Sequence, residues 1–423
     1  MTQKYPLILI ITLLIISKAV FASEFNTGKR VNINSTYLNE EREIQVLLPE
    51  SYFSHNNATY PVIYLLDGDY TFHGVLGMLD LMANKGQLIP DVILVGIADK
   101  GTDKYRQYMT PVGLTAPLKK EDAGKAKKFL DFLKYEIKPH INRNYRAANK
   151  SILVGHSIGG LFVLNALFEA PDAFEHFVSM SPSVWLNDHA IMTKAKAFIG
   201  VSEHEKVSLH LSLGDETRQG IYGVLQLLDE IQPNNIDWQF SHYPNENHNS
   251  VGLVALRSDL KTIFNDWFIT DKKLSSSMSA EDILIHYKEL LQSLNINQPI
   301  PTPSIKSAIR YFYRKKKADE IPVFMSKIKK YLPESEQGFI IMQASYVGHF
   351  DSAESALKIL QRSEKRFENS IEYTKNIAAT YMQLENSKMA RIYYEKALKL
   401  AHEYNSNQWQ INIIEAKLLQ LTD

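Results

Sequence analysis

The stretch Ser151-Ile152-Leu153-Val154-Gly155-His156-Ser157-Ile158-Gly159-Gly160 constrains this chain more than any other. An apolar run leads into a serine with glycine two residues away on either side, and a helical pattern follows. The reason for such spacing is steric. A serine at the tip of a sharp strand-to-helix turn holds a strained backbone, and its neighbours at ±2 must be small or their side chains collide. The turn lifts the hydroxyl clear of a sheet. It also puts the next N–H, that of Ile158, at a helix start, where it can face a developing oxyanion. Five letters of this kind also arise by chance, so the surrounding chain must supply the matching context.

That context is an alternation of strands and helices. Residues 60–66 and 92–98 are near-continuous apolar runs, which suit strands buried on both faces of a parallel sheet. Two alternating stretches between Lys29 and Leu48 read as paired edge strands. Helices are expected over 74–84, 123–142 and 158–169, and 101–118 reads as an irregular loop. Further strands are expected at 177–181, 207–214 and 238–243, before a closing helix that carries Leu256, Leu260, Ile263, Phe264 and Trp267. This order predicts an α/β fold with a mostly parallel central sheet covered on both faces. Ser157, the pair Asp215/Glu216 and His248 all fall just beyond strand ends, where sites gather in such sheets.

Acyl transfer from an ester needs a nucleophile, a base, an orienter for the base and an oxyanion hole. Ser157 is the expected nucleophile and His248 the expected base. The orienter is Glu216 or Asp215. The longer side chain favours Glu216, while a turn and helix-cap role for both stays open. The serine, acid, histidine order matches that of α/β-hydrolases. The second oxyanion donor is expected in Leu66-Asp67-Gly68-Asp69-Tyr70, with the N–H of Asp69 first and that of Tyr70 next. Tyr70 and Trp185, with Phe72 and Tyr105, are candidates to line a substrate pocket. No metal or cofactor is called for.

These residues carry a family resemblance. Residues 64–68, Gly155-His156-Ser157-x-Gly159-Gly160, Ser181-Pro182-Ser183-x-Trp185 and Asn247-His248 resemble the putative esterase family of α/β-hydrolases. That family includes enterochelin esterases, S-formylglutathione hydrolase and mycolyltransferases. Residues 102–111 resemble its T-D-R-x-R-D-x-T-P stretch, with Gln107 where aspartate is usual. The resemblance covers roughly 29–268 and is nearest the siderophore-esterase-like branch. It implies cofactor-free esterase chemistry on an acyl or depsipeptide substrate, with an acid that is weak or absent in some members.

At 423 residues the chain should form more than one domain. Residues 1–22 read as a signal peptide: Lys4, an apolar run from Leu7 to Ile16, then Val20-Phe21-Ala22. The run is shorter than the roughly 20 residues of a spanning helix. An uncleaved anchor is the alternative, and export to a periplasm is the expected address. The absence of cysteine excludes disulfides, thiolate metal sites and a lipid-bearing cysteine. Lys+Arg and Asp+Glu balance at 47 each, so nothing points to nucleic acid.

The hydrolase domain is expected over 23–270 and a polar linker over 271–279. An all-α domain is expected over 280–423. There Ile377-Ala378-x-x-Tyr381 with Ala390, Tyr394 and Ala397 fits tetratricopeptide (TPR) spacing, and Ala353, Leu357 and Leu360 fit the same frame upstream. A generic antiparallel helical domain would look similar. Arg314-Lys315-Lys316-Lys317 reads as a solvated helix end. The reading is an exported serine esterase acting on a small-molecule ester, with a possible protein or peptide partner at the helices. A TPR-based scaffold with a vestigial hydrolase, and an acyltransferase, are the alternatives.

Overall fold

Apolar residues that alternate along the central strands serve two separate cores. In the computed structural model, which describes residues 27–111, 124–200, 206–216 and 220–421, the strands are β1 (Lys29–Ser35), β2 (Glu40–Leu47), β3 (Tyr60–Leu65), β4 (Ile93–Ile97), β5 (Ala147–His156), β6 (His176–Met180), β7 (Val207–Leu213) and β8 (Ile236–His242). They form one sheet in the order β1-β2-β4-β3-β5-β6-β7-β8. The pairs β1/β2 and β2/β4 are antiparallel and all others parallel. Val62 and Tyr64 of β3 face one core, with Phe129 and Phe162. Ile63 and Leu65 face the other, with Phe72, Leu256 and Leu260. Every residue of β3, β4 and β6 is buried, which explains their lack of polar alternation. This is an α/β-hydrolase fold followed by an all-helical region. The proposed signal segment, 1–22, lies outside the described residues.

Two stretches differ from expectation. The irregular loop expected over 101–118 contains a helix, Thr102–Met109, entered through Gly101 at φ 88°; residues 112–123 lie outside the description. The expected polar linker is also helical. Thr270 caps Asp271–Ser276 by accepting the Lys273 N–H at 3.3 Å, and Leu274 is buried. One apolar side chain in a polar stretch is enough to anchor that helix to a core. The second sheet core in fact continues without a break through Trp267 and Leu274 to Tyr287, Ile305 and Phe324. The helix Ala280–Leu294 starts with a reciprocal cap: Ser279 Oγ accepts the Asp282 N–H, and Asp282 accepts the Ser279 N–H.

The helical region docks at the edge of the sheet where the parallel strands begin. Thr59, just before β3, pairs with Asn297. Gln298 bridges the backbone of Thr59 and Asp91, just before β4. His55 meets Glu334 at 3.2 Å. The chain then arches through helices that include Ile371–Gln383 and Ser387–Glu403, whose close packing rests on fully buried Ala378, Ala390 and Ala397. It returns to the hydrolase region at Tyr404, stacked on Phe53 (centroids 5.4 Å, 17°), and at Trp409, with Lys85 Nζ 3.7 Å from its ring centroid.

A buried polar group near the start of β6–β8 gives a pH expectation. His176 has no hydrogen-bond partner on either ring nitrogen, and burial pushes its pKa down to about 2. Burial takes His210 down to about 4, while Asp259, 3.8 Å away, is pushed up to about 7. Below the unfolded histidine value, an unfolded chain binds protons that the folded state refuses. Stability therefore falls with pH, by up to about 1.4 kcal/mol per pH unit per histidine. Asp259 works in the opposite sense over pH 7 to 4 and offsets His210, and Asp67, pushed up to about 7, likewise offsets His156, pushed down to about 4, which leaves His176 as the histidine without a compensating acid. Denaturant midpoints should drop between pH 7 and pH 5. His176→Phe should flatten that drop, and an unchanged slope would contradict the assignment.

Candidate active site

Parallel strands bring their C-terminal ends to one edge, so the turns after β3, β5, β6, β7 and β8 converge. The turn after β5 is the tightest. Ser157 sits at φ 58°, ψ −116°, a conformation non-glycine residues rarely hold. The close approaches explain the glycines. A Cβ on Gly155 would lie 2.4 Å from the Gly159 carbonyl oxygen, and one on Gly159 would lie 2.5 Å from the Tyr105 hydroxyl. Backbone bonds hold the strain: the Ser157 N–H donates to Met180 O at 2.9 Å, and the Ser183 N–H donates to Ser157 O at 3.0 Å.

The structure brings Ser157, His248 and Glu216 together. His248 Nε2 lies 2.9 Å from Ser157 Oγ, and His248 Nδ1 lies 2.6 Å from Glu216 Oε2. A carboxylate only accepts, so the shared proton belongs on Nδ1 and Nε2 is left to accept from the serine hydroxyl. The other Glu216 oxygen accepts from Ser181 Oγ at 2.8 Å. Asp215 is not brought to His248. Its side chain is exposed, and its N–H is tied to Glu246 O at 2.6 Å, which pins the histidine loop to the end of β7. Asn247 braces the same loop by accepting the N–H groups of Asn249 and Ser250.

The proposed oxyanion donors sit on neighbouring strands' exits. Ile158 is the first residue of the helix Ile158–Glu169, and Asp69 is the second of Gly68–Leu79. First-turn N–H groups have no intrahelical acceptor. Tyr70, the second choice, has its N–H committed to Asp67 O at 3.0 Å. Of the four expected pocket aromatics, Tyr70 (81% exposed) and Trp185 (43% exposed) are open to solvent. The other two are corrected. Phe72 is core, packed where a Cβ on Gly96 would fall, and Tyr105 is half-buried with its hydroxyl enclosed beneath the elbow. Among the described residues, no group of three or more His, Asp or Glu side chains is arranged to hold a metal ion.

Several residues here escape sequence reasoning. Ser181, at φ 41°, orients Glu216, and Ser183 Oγ lies 3.3 Å from Ser157 Oγ. The Ser181-Pro182-Ser183-x-Trp185 pattern is visible in the sequence, but its task depends on where Glu216 ends up. The His156 ring packs against that of His248, centroids 4.6 Å apart, and burial then the neighbouring His248 push its pKa down to about 4. It therefore stays neutral beside the His248 ring. Asp67, at φ 58°, turns its carboxyl under the elbow beside Tyr105, and burial pushes it up to about 7.

The Tyr105 contact gives a double-mutant test. Gly159→Ala collides with the Tyr105 hydroxyl, an overpacking cost of about 1–3 kcal/mol. Tyr105→Phe deletes the colliding oxygen, and the next contacts are the Asp67 carboxylate at 3.3 Å and Leu66 Cβ at 3.7 Å. Gly159→Ala should lower the unfolding midpoint and ester turnover, and the double variant should recover part of both. Simple additivity of the two losses would contradict the packing described.

Residues 35–226 match the family described as putative esterase. The chain is 28% identical over 250 residues to the ferri-bacillibactin esterase BesA of Bacillus subtilis, spanning 53% of this chain and 85% of that one. It is 27% identical over 278 residues to the siderophore triacetylfusarinine C esterase of Aspergillus fumigatus, spanning 56% and 94%. An IroE-like serine hydrolase from Shewanella oneidensis is similar in fold, with a TM-score of 0.58 at 23% identity over 74% of this chain and 99% of that one.

Proposed function

We infer that this chain, whose residues 35–226 match the family described as putative esterase, is an exported serine esterase acting on siderophore-type esters through an acyl-enzyme. The observation that carries the reading is the continuous chain from Ser157 Oγ through His248 to Glu216, at 2.9 and 2.6 Å. In this mechanism His248 Nε2 takes the Ser157 proton as Oγ attacks the ester carbonyl. Glu216 stabilises the imidazolium, and the neutral His156 ring adds no opposing charge. The N–H groups of Ile158 and Asp69 receive the oxyanion. The intermediate collapses as His248 protonates the departing alcohol, and a water activated by the same nitrogen then releases the acid.

The siderophore class is supported by the relative named siderophore triacetylfusarinine C esterase, with the ferri-bacillibactin esterase beside it. A bulky substrate is supported by the exposure of Tyr70 and Trp185, while the helical region docks on Thr59 and Asp91 at the opposite edge of the sheet. Export to the periplasm rests on the N-terminal apolar segment. The helices, read as TPR-like, would carry any protein partner away from the site. The test is product analysis on simple p-nitrophenyl esters, cyclic triscatecholate esters and fusarinine-type hydroxamate esters. Turnover of a siderophore ester well above the simple esters, with kcat/KM as the measure, is expected. Preference for small acyl esters would overturn the substrate class. Transfer of the acyl group to an added alcohol in preference to water would overturn the hydrolase reading.

A further inference from the structure

The two N–H groups assigned to the oxyanion belong to different turns. Ile158 follows β5 and Asp69 follows β3. They stabilise a developing oxyanion only if both point at one spot, so the placing of one turn against the other matters to the rate. The backbone bond from Leu66 N–H to Val154 O, at 2.9 Å, ties the strands but stops short of both donors. On its other side the turn after β3 is fastened to β4. Gly68 lies so close that a Cβ there would come 2.7 Å from the Ile97 nitrogen, and the Asp69 carboxylate accepts the Asp99 N–H at 3.0 Å. Neither of these contacts reaches the elbow.

Asp67 does reach it. Its backbone is held at φ 58°, ψ 34°, with its carbonyl accepting the N–H groups of Tyr70 and Thr71, each at 3.0 Å, and the Thr71 hydroxyl. From there the carboxyl extends beneath the elbow. A Cβ on Gly159 would lie 3.3 Å from Asp67 Oδ2 and 2.5 Å from the enclosed Tyr105 hydroxyl. Burial pushes the carboxyl up to about 7, opposed by the Tyr105 hydroxyl, helped by Asp99 and opposed again by the His156 N–H. His156 and Gly159 bracket Ser157 and Ile158, so one side chain meets the elbow on both sides of its tip. The turn itself does not call for a carboxyl, because glycine and asparagine hold a left-handed backbone at least as readily as aspartate.

We propose that Asp67 is a positioning residue for the oxyanion hole: its carboxyl, set between Tyr105 and the elbow, fixes the Ile158 N–H relative to the Asp69 N–H. It acts through the backbone of the two turns rather than on the substrate. The proposal rests on Ser157 being the nucleophile.

The experiment compares Asp67→Gly, Asp67→Asn and Tyr105→Phe with the parent chain in steady-state hydrolysis of a p-nitrophenyl ester. Active sites are counted from the end point of fluorophosphonate labelling, and folding is followed by a thermal melt. Asp67→Gly keeps the turn and removes the carboxyl. It should melt close to the parent and still label once per chain, yet lose about 10- to 100-fold in kcat per active site with KM within about threefold, because a displaced donor weakens only the transition state. Asp67→Asn keeps a side-chain oxygen beside Tyr105 and should recover most of that loss. Tyr105→Phe should cost several-fold on its own and little more when added to Asp67→Gly. Parent-like kcat per site in a folded Asp67→Gly chain, a loss carried by KM alone, or equal losses in Asp67→Gly and Asp67→Asn would each overturn the proposal. If Asp67→Gly does not fold, Tyr105→Phe decides: a several-fold loss in kcat at unchanged KM supports the proposal, and parent-like kcat overturns it. A parent chain inert toward esters and unlabelled at Ser157 would instead remove the nucleophile reading, and this proposal with it.

Discussion

Ser157→Ala should leave a folded protein whose ester turnover has fallen by about 10⁴-fold or more. The loss is large because nothing else in the site can take over the attack. Ser183 Oγ lies 3.3 Å from that of Ser157, but His248 Nε2 is aligned on the oxygen of residue 157, at 2.9 Å, and the strained turn presents residue 157, not 183, at the tip of β5. Ser183→Ala should therefore cost far less. Residues that act as a unit are not additive, so Ser157→Ala/His248→Ala should be little worse than either single variant. Folding should survive, since the strain at Ser157 is held by backbone bonds to Met180 and Ser183 that an alanine keeps. Steady-state rates with a p-nitrophenyl ester, alongside a circular dichroism melt, check both statements. Retained turnover in a folded Ser157→Ala protein would remove the nucleophile from the account.

The second large effect separates two adjacent acids. Glu216→Gln should lower kcat by about 10³–10⁴-fold, as loss of an orienting carboxylate does in comparable triads, whereas Asp215→Asn should stay within a few-fold of the parent. The asymmetry follows from geometry. Glu216 takes the Nδ1 proton of His248 at 2.6 Å and a second donor, Ser181 Oγ, at 2.8 Å. A glutamine there can present its NH₂ to Nδ1 and so favour the wrong tautomer, which leaves Nε2 protonated and unable to accept. Asp215 touches the site only through its backbone N–H, which asparagine retains. Ser181→Ala should fall between the two, with the loss mainly in kcat. Comparable losses for Asp215→Asn and Glu216→Gln would contradict the assignment.

The features legible in the sequence were those set by local spacing. Glycine at ±2 around Ser157 is demanded by contacts within a few residues, and the fully apolar β3 and β4 announce strands buried on both faces. His248 could be found because the turn after the last strand follows from that strand. What was not legible depends on distant partners. The choice between Asp215 and Glu216 turns on where β7 stops and on the Asp215 N–H bond to Glu246, which lies in another loop. Tyr105 sat in a stretch read as irregular. The placing of its hydroxyl under Gly159 comes from the helix Thr102–Met109, which follows Gly101, whose N–H donates to Asp99 Oδ1 at 2.9 Å. Phe72 looked like a pocket aromatic from its place near the oxyanion loop, yet it faces inward against Gly96. The helix in the expected linker is hidden from the sequence because Leu274, a single apolar residue among polar ones, decides that segment's packing.

The central claim is that Ser157 Oγ is a nucleophile activated through His248 and Glu216. Labelling with a fluorophosphonate, followed by intact mass and peptide mapping, tests it most directly, since the reagent reports activation without needing the natural ester. The account predicts one adduct per chain on Ser157, none on Ser157→Ala, and labelling slowed by orders of magnitude in His248→Ala and Glu216→Gln. An adduct on another serine, or labelling of Ser157 at the same rate in all three settings of its partners, would contradict it.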